Sequence, residues 1–595
     1  MKSGEVSFFR KRNCDERHPI GETGAPAQSA ADGTAVSHAA VKERYIVKKS
    51  RIIAYLIAFV VFLGYVFFEA PNLNPLYPEG AILWCVVITV CIAIWLVTRG
   101  SLFHFVVGAN GQRELSFDNT KKLSKAVKLG VLIPWGIVIL VFIGSSVLFQ
   151  FNAYRNQLTE PQERTFDTDV QVVDVNNVPV VDKDLAEKLA DKKLGEKTSL
   201  GSQVETGEPV IQQVNGKLMW VVPLEHSGFF KWFANLNGTP GYITVSANNM
   251  QDVQYVDGKN IKIQPRAYLL QNLNRYARLN AGLFTGMTDY SFEIDDEGTP
   301  YWVISTYKNT RGFSLPEATG AIIVNATTGE THRYTIDNIP SWVDRIQPEE
   351  FVMTQINNRG EYINGILNFS NKDKFRTSPG DAVIYNNGRC YLYTGLTSVG
   401  KDDSIISFMM VDMITKEVFN YKVAGATENA ARASAEGKVQ NLKYKATFPL
   451  ILNIEERPTY FMTLKDAEGL VKQYAYVSLE DYSVVGTGET MNAALENYRS
   501  NLMHADKLGV PAEDLLEEKE EMTGTVLRIA SELTDKDTVY KIILKEQPDK
   551  IYRVSYLVSD ELALTIEGDR VTLTYTGTDD SIITASGFDN LEFTQ

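Results

Sequence analysis

Three windows of this chain are nearly free of charge: Ile52–Phe68, Ala81–Val97 and Leu129–Phe149. Each is close to the roughly 17–25 residues that a helix needs to cross a hydrocarbon core. A long polar segment precedes the first window. Tyr65, Phe67 and Phe68 stand where a cleaved leader would carry small residues, so this window reads as a retained span. Trp84 and Trp95, near the ends of the second, suit interfacial anchoring.

The basic residues give these spans a direction. Lys42, Arg44, Lys48, Lys49 and Arg51 precede the first span, and Arg99, Arg113, Lys121, Lys122, Lys125 and Lys128 separate the second from the third. The connection "APNLNPLYPEG" between the first two spans has neither Lys nor Arg. The positive-inside bias therefore places the N-terminus and the second loop in the cytoplasm. Three crossings then leave everything after about Gln150 outside, so the expected location is the cell membrane, multi-pass, with extracytoplasmic domains. Residues 1–150 carry 16 Lys+Arg against 10 Asp+Glu, whereas the remainder carries 43 against 63. An exterior this acidic is a poor polyanion binder, which argues against nucleic acid as a partner. Of the four cysteines only Cys390 lies in that exterior, so it folds by burial and not by disulfides, and Cys390 itself reads as a small buried residue.

At 595 residues the chain is too long for one core. Residues 1–50 read as a disordered cytoplasmic tail and 51–150 as the three-helix transmembrane region. Beyond them, four stretches share one order: a helix-like segment, a strand rich in aromatic or branched residues, then an alternating strand with a turn. The helix-like segments are "DKDLAEKLADKKLG", "PRAYLLQNLNRYARLNAG", "PEEFVMTQINNRGEYINGIL" and "TENAARASAEGKVQ". In the first, Asp182 is a candidate N-cap, Leu185, Ala186 and Leu189 share a face, and Gly195 is a stop. Pro265 and Gly282 bound the second. The strands that follow are "KLMWVVPLE", "TPYWVISTY", "GRCYLYTGL" and "RPTYFMTLKD". Period-two alternation marks the next strands, as in Ile243 with Val245, Ile322 with Val324 and Met409 with Val411. Such a hairpin cannot bury its apolar face alone, and a helix laid across it solves the problem. The expected fold class is α+β: tandem helix-on-antiparallel-sheet modules at 151–260, 261–346, 347–426 and 427–490. A helical linker at 491–519 and a small β-barrel at 520–595 follow. The barrel holds 7 Lys+Arg against 15 Asp+Glu, the wrong sign for nucleic acid.

The hairpin carrying Val324, Ala326, Thr328, Gly329 and Glu330 resembles that of the PepSY-type module, and the likeness extends over roughly 166–490. The final strands resemble an OB-like or SH3-like barrel. The PepSY resemblance implies a bacterial envelope protein that binds or restrains another protein outside the membrane, and it carries no catalytic residue over.

Chemistry is sparse. His226, His332 and His504 have no partner at metal-ligand spacing, and Asp295, Asp296 and Gly298 fit a β-turn better than a calcium loop. No metal site, cofactor or catalytic residue is expected. The segment "GFFKWFANLNGTPGY" supplies Phe229, Phe230, Trp232 and Phe233, and "PSWVDRI" supplies Trp342, as candidate docking residues. The expected function is protein–protein interaction in the cell envelope, as scaffold, assembly factor or regulator. Its partners would be the membrane, other envelope proteins and, through open sheet edges, a second copy. Two alternatives stand beside it. One is a hydrolase using dispersed carboxylates, which would need two facing carboxylates in a deep cleft. The other is a subunit of a secretion or conjugation machine.

Overall fold

The computed structural model describes residues 32–98, 103–107, 113–117, 125–166, 178–197, 199–380, 382–386, 388–399, 404–454, 457–508, 520–533, 538–575 and 582–593. Residues 1–31, 509–519 and much of the loop between the second and third apolar windows therefore lie outside the described residues, whereas residues 32–50, expected to belong to a disordered tail, are helical and continuous with the first apolar window. The chain divides into two compact units, 1–67 with 82–137 and 68–81 with 138–595.

The first unit holds most of three helices, Asp32–Glu69, Pro78–Thr98 and Lys125–Gly144, each containing a stretch long and apolar enough to cross a membrane. Polar side chains tie them together. Tyr55 Oη donates to the Cys91 carbonyl (3.1 Å), Arg51 Nε to Thr98 Oγ1 (3.1 Å) and Trp135 Nε1 to Thr89 Oγ1 (3.1 Å). Phe103–Val107 and Arg113–Phe117 form an antiparallel hairpin in the loop whose Lys and Arg residues give the spans their direction.

The second unit is mixed helix and sheet. Sheet one runs Val210–Val214, Lys217–His226, Thr239–Ser246 and Val253–Ile261. Sheet two runs Gly286–Ile294, Pro300–Arg311, Ser314–Asn325 and Thr331–Thr335. The core of sheet three is Ala382–Asn386, Arg389–Ser398, Ser404–Asp412 and Val418–Tyr421. Sheet four runs Leu450–Ile454, Arg457–Lys465, Val471–Ser478 and Val485–Gly488. All four are antiparallel meanders, with short accessory strands at their edges.

One corner recurs in all four sheets. The third strand of each ends in a fully buried valine followed by a short polar residue: Val245–Ser246, Val324–Asn325, Val411–Asp412 and Val477–Ser478. The polar side chain accepts from a backbone N–H two or three residues on, as when Asn325 Oδ1 takes Thr327 and Thr328 and Asp412 Oδ1 takes Ile414 and Thr415. Such side-chain-to-backbone bonds fix the turn. The next residue is buried in every case: Ala247, Ala326, Met413 and Leu479. Its carbonyl receives the chain entering that sheet's helical segment, from Val180 and Val181, Lys262 and Ile263, Ile346 and Gln347, and Ala426. Trp220 and Trp302, on the second strands of sheets one and two, donate to the carbonyls of Val181 and Ile263, both at 2.8 Å, and Tyr460 of sheet four donates to Ala426 at 3.0 Å.

The helices differ in how closely they follow expectation. Lys183–Gly195 begins at Asp182, whose Oδ1 accepts from Leu185 N at 3.0 Å, as the sequence predicts. Glu349–Glu361 and Glu428–Lys438 lie in the third and fourth helix-like segments. The second segment does not form one long helix. It starts at Leu273, capped by Asn272, and passes into a π turn at Arg278–Gly282. The helix Met491–Leu508 is no mere linker, because Ala494, Leu495, Tyr498 and Leu502 are buried against sheets one and four. Gly486 lets it approach, since a Cβ there would overlap the backbone of Tyr498 and Ala494. Gly486→Val is expected to cost about 2–4 kcal/mol by displacing this helix, read as a lowered thermal midpoint of the full chain. Wild-type stability would refute the close packing.

Four cores join the sheets in a cycle. Sheets one and two share a core around Tyr242, Phe292 and Trp302, and sheets one and four share one around Ile243, Phe461 and Tyr498. Sheets three and four share Phe408, Tyr421, Tyr460 and Val477. Sheets two and three meet through Ile323 and Ile346, with Ser305 Oγ donating to the Ile346 carbonyl (2.9 Å) and Lys416 pairing with Glu317. The sheets thus close a ring. Beyond it, Glu520–Leu533, Thr538–Leu544, Gln547–Ser555, Ile582–Asn590 and Arg570–Tyr575 follow one another around a closed barrel, with the third and last strands in chain order paired in parallel.

Candidate functional site

At the centre of this ring lies a cavity of ≈590 Å³ to which every sheet contributes its first strand: Ile211, Thr288 with Asp289, Ala382 with Val383, and Leu450. The ring explains this placement, since the leading strand of each meander is turned toward the axis. Val180, Trp220, Phe448, Phe461 and Met462 give the cavity apolar wall. Its ionisable lining is five acids, Asp182, Glu208, Asp289, Glu349 and Glu350, against Lys183 and Arg345. Both cations are engaged, Lys183 by Glu208 and Arg345 by Glu349 (3.0 Å). Asp182 is held by Lys465 at 2.5 Å. Asp289 has no ion-pair partner among the described residues.

Asp289 is unusual in its backbone as well. Its φ is +50°, in the left-handed region, where a non-glycine residue costs of order 1–3 kcal/mol. The strain coincides with a slip in strand pairing between Ile304 and Ser305, a bulge of the kind that re-aims a side chain. Asp289 is exposed to the cavity, with its backbone held in the wall. Desolvation there raises its pKa, Arg345 opposes the shift and Glu349 adds to it.

A buried polar cluster underlies this wall. Glu293, four residues along the same strand, is 1 % exposed, and neither carboxylate oxygen has a hydrogen-bond partner. Burial, reinforced by Asp344, pushes it up to about 8, so it holds its proton at neutral pH. Asp344 Oδ2 accepts from Gln213 N (2.6 Å) and Tyr385 Oη (3.1 Å); burial nevertheless pushes it up to about 6. Tyr385 also donates to the Ile211 carbonyl (3.2 Å), joining sheet three to sheet one across the axis. Gln212 bridges sheets one and two, donating to the Ile294 carbonyl (2.6 Å) and accepting from Ile294 N (3.0 Å). Cys390, opposite Tyr385 in the ladder, is buried, and burial raises its thiol far from the thiolate form that a nucleophile needs.

The residues singled out from sequence lie elsewhere. Phe229, Phe230 and Phe233 are exposed on the short helix Phe229–Ala234. Trp232 is not available for docking: it is buried beside Tyr268 and donates to Gln271 Oε1 at 2.6 Å, because its large ring fills the base of the loop. Trp342 is half-buried and stacks on Tyr301 at 4.9 Å. His226 is buried, while His332 is exposed beside Glu330. Asp295 closes a turn, its Oδ1 accepting from Glu297 N and Thr299 N. Sequence reading missed Asp289, Glu293, Asp344, Arg345 and Tyr385. The one available signal was an acid, a serine and an acid on alternate positions of "DYSFE".

No family model matches the chain, and no curated protein does. Solved structures give only faint likenesses. An α-L-arabinofuranosidase from Lactobacillus brevis is 11% identical over 45% of this chain and 69% of its own, with a TM-score of 0.15. A levansucrase from B. megaterium is 8% identical over 69% and 96%, at 0.18. A Synechocystis apocarotenoid oxygenase is 7% identical over 47% and 49%, at 0.12. Likenesses this weak carry no argument about fold or chemistry.

Proposed function

We propose that this chain is a membrane-anchored extracytoplasmic protein of the bacterial envelope that works by protein–protein interaction. Its axial cavity receives a cationic, apolar-flanked segment of a partner. The observation that carries this reading is the cavity itself, apolar in its walls, acidic in balance and bearing the unpaired Asp289. A carboxylate on the cavity wall with no ion-pair partner among the described residues favours a ligand that brings a cation. The recurring corner supports reading the four sheets as copies of one PepSY-like α+β module. The parallel pairing of third and last strands supports an OB-like barrel. The three apolar helices and the basic flanks support an N-terminus in the cytoplasm and a multi-pass anchor. Impermeant protease added to intact cells should cleave the second unit; protection until lysis would refute this orientation.

Binding is tested by titrating the solubilised full chain with a Phe/Leu-flanked Lys-Arg peptide and with its Glu-Asp counterpart. The basic peptide should bind at least tenfold more tightly, and Asp289→Asn should remove about tenfold of its affinity, near 1.4 kcal/mol. Asn tolerates the left-handed backbone, so folding is preserved. Equal affinity for both peptides, or indifference to Asp289→Asn, would end the proposal.

A second reading, an envelope hydrolase, draws on one observation: Asp289 and Glu293 share a strand, one facing the cavity and one enclosed, both with raised pKa. Turnover of an envelope substrate by the purified chain, abolished by Asp289→Asn, would favour it over binding alone.

A further inference from the structure

We propose that the surface carrying Phe229, Phe230, Phe233, Leu269, Leu270 and Phe284 is seated in the headgroup layer of the chain's own membrane, with lipid as its partner. This rests on the membrane reading above. The six side chains are exposed, Phe230 at 83 %. Exposed apolar surface of this kind marks an interaction site. The patch is also braced from behind. Phe229 meets Tyr268 edge-on at 5.2 Å, Trp232 is locked by Gln271, and Leu269–Gln271 forms a tight turn. Aromatic side chains held rigidly at a polar–apolar boundary are characteristic of membrane interfaces.

Position identifies the occupant. The residues between Glu69 and Pro78 join two helices long and apolar enough to cross a membrane. An eight-residue connection that leaves and returns rises at most about 14 Å above the helix ends. Leu73 N donates to the Leu283 carbonyl and Asn74 Nδ2 to the Phe284 carbonyl, both at 2.9 Å. Arg275 joins the Phe68 carbonyl (2.9 Å) to that of Leu269 (2.5 Å), and Phe68 is the penultimate residue of its helix. The third apolar helix adds a further tether: one residue beyond its end, Ser145 Oγ accepts from Phe313 N at 3.0 Å. The Phe284 backbone is therefore bonded to, and that of Leu269 bridged through Arg275 to, chain that has just left, or is about to enter, an apolar helix. A soluble partner covering this surface would have to occupy the layer already filled by lipid headgroups.

The test uses the full chain, cysteine-free except for one introduced residue, in phosphatidylcholine–phosphatidylglycerol vesicles. Phe230→Cys, Leu270→Cys and the span-centre Val61→Cys each carry an environment-sensitive NBD label. The labels at 230 and 270 should be quenched at least threefold more by a nitroxide near the headgroup than by aqueous iodide, and Val61 by a nitroxide deep in the acyl chain. Labels at 230 and 270 that respond to iodide as free dye does, while Val61 stays in lipid, would overturn the proposal and leave the anchor intact. All three responding to iodide would overturn both. Iodide quenching at 230 that disappears when a soluble envelope fraction is added would assign the surface to a protein instead, and would also overturn it.

Discussion

Arg345→Ala is expected to destabilise the second unit by about 3–5 kcal/mol at pH 8, the cost of removing one partner from a buried charge cluster. The guanidinium donates to Glu349 Oε1 and lies within electrostatic reach of Asp289, Glu293 and Asp344. It lowers the pKa of all three, opposing their burial. Without it, the acids must ionise unpaired or take up protons, and the second route opens as pH falls. The deficit should therefore shrink at pH 5.5, where protonation of Asp344 relieves part of the repulsion. Arg345→Lys keeps the charge but not the planar fork, and should fall between. Urea unfolding of the solubilised full chain, followed by tryptophan fluorescence at both pH values, measures this. A deficit independent of pH would mean that Arg345 contributes packing alone. No deficit at all would remove the charge cluster from any account of how the ring closes.

How much of this was legible in advance depends on the range of the interaction. The three apolar helices follow from composition within single windows, and the cap at Asp182 follows from one residue and its neighbours. The hairpins are local too. A Val, a short polar residue and a buried residue mark the end of each third strand, and the pattern is visible in "VSA", "VNA", "VDM" and "VSL". Ring closure is different. Gln212 reaches Ile294, Tyr385 reaches Ile211, and Phe461 packs against sheet one, all contacts between residues far apart in sequence. Nothing in a local window announces them.

The site was hidden for a related reason. In "DYSFEI" the acids alternate with Tyr290, Phe292 and Ile294, which reads as a half-buried strand with its polar face in water. In the ring that polar face turns toward the axis, where Ser291 and Glu293 are buried and Asp289 is exposed to the cavity. The tryptophans misled in the opposite sense: Trp232 looked like an anchor because it sits among exposed phenylalanines, and it is the one ring of that group that the fold buries.

Glu293→Gln should stabilise the protein at pH 8 by roughly 3–5 kcal/mol and flatten the upper end of its pH profile. The ordinary value of a glutamate is 4.5, and burial pushes Glu293 up to about 8. Between those values the folded state holds a proton that the unfolded chain has released, so stability falls as pH rises through the window and levels off above it. Two other buried acids tilt the curve the same way over narrower ranges: Asp344, raised to about 6, and Glu225, raised to about 7. The interval from pH 7 to 8 therefore belongs mainly to Glu293. There the parent should lose about 1 kcal/mol per pH unit while Glu293→Gln stays nearly level, and between pH 5 and 7 the variant should fall less steeply than the parent by roughly 1.4 kcal/mol per unit. The amide is close to isosteric with the protonated acid, so packing is preserved and the comparison isolates the charge. Thermal melts at half-unit steps from pH 4.5 to 8.5 give both curves. Parent and variant curves that run parallel between pH 7 and 8 would show that Glu293 ionises at its ordinary value, and that the interior beside Asp289 is wetter than its geometry implies.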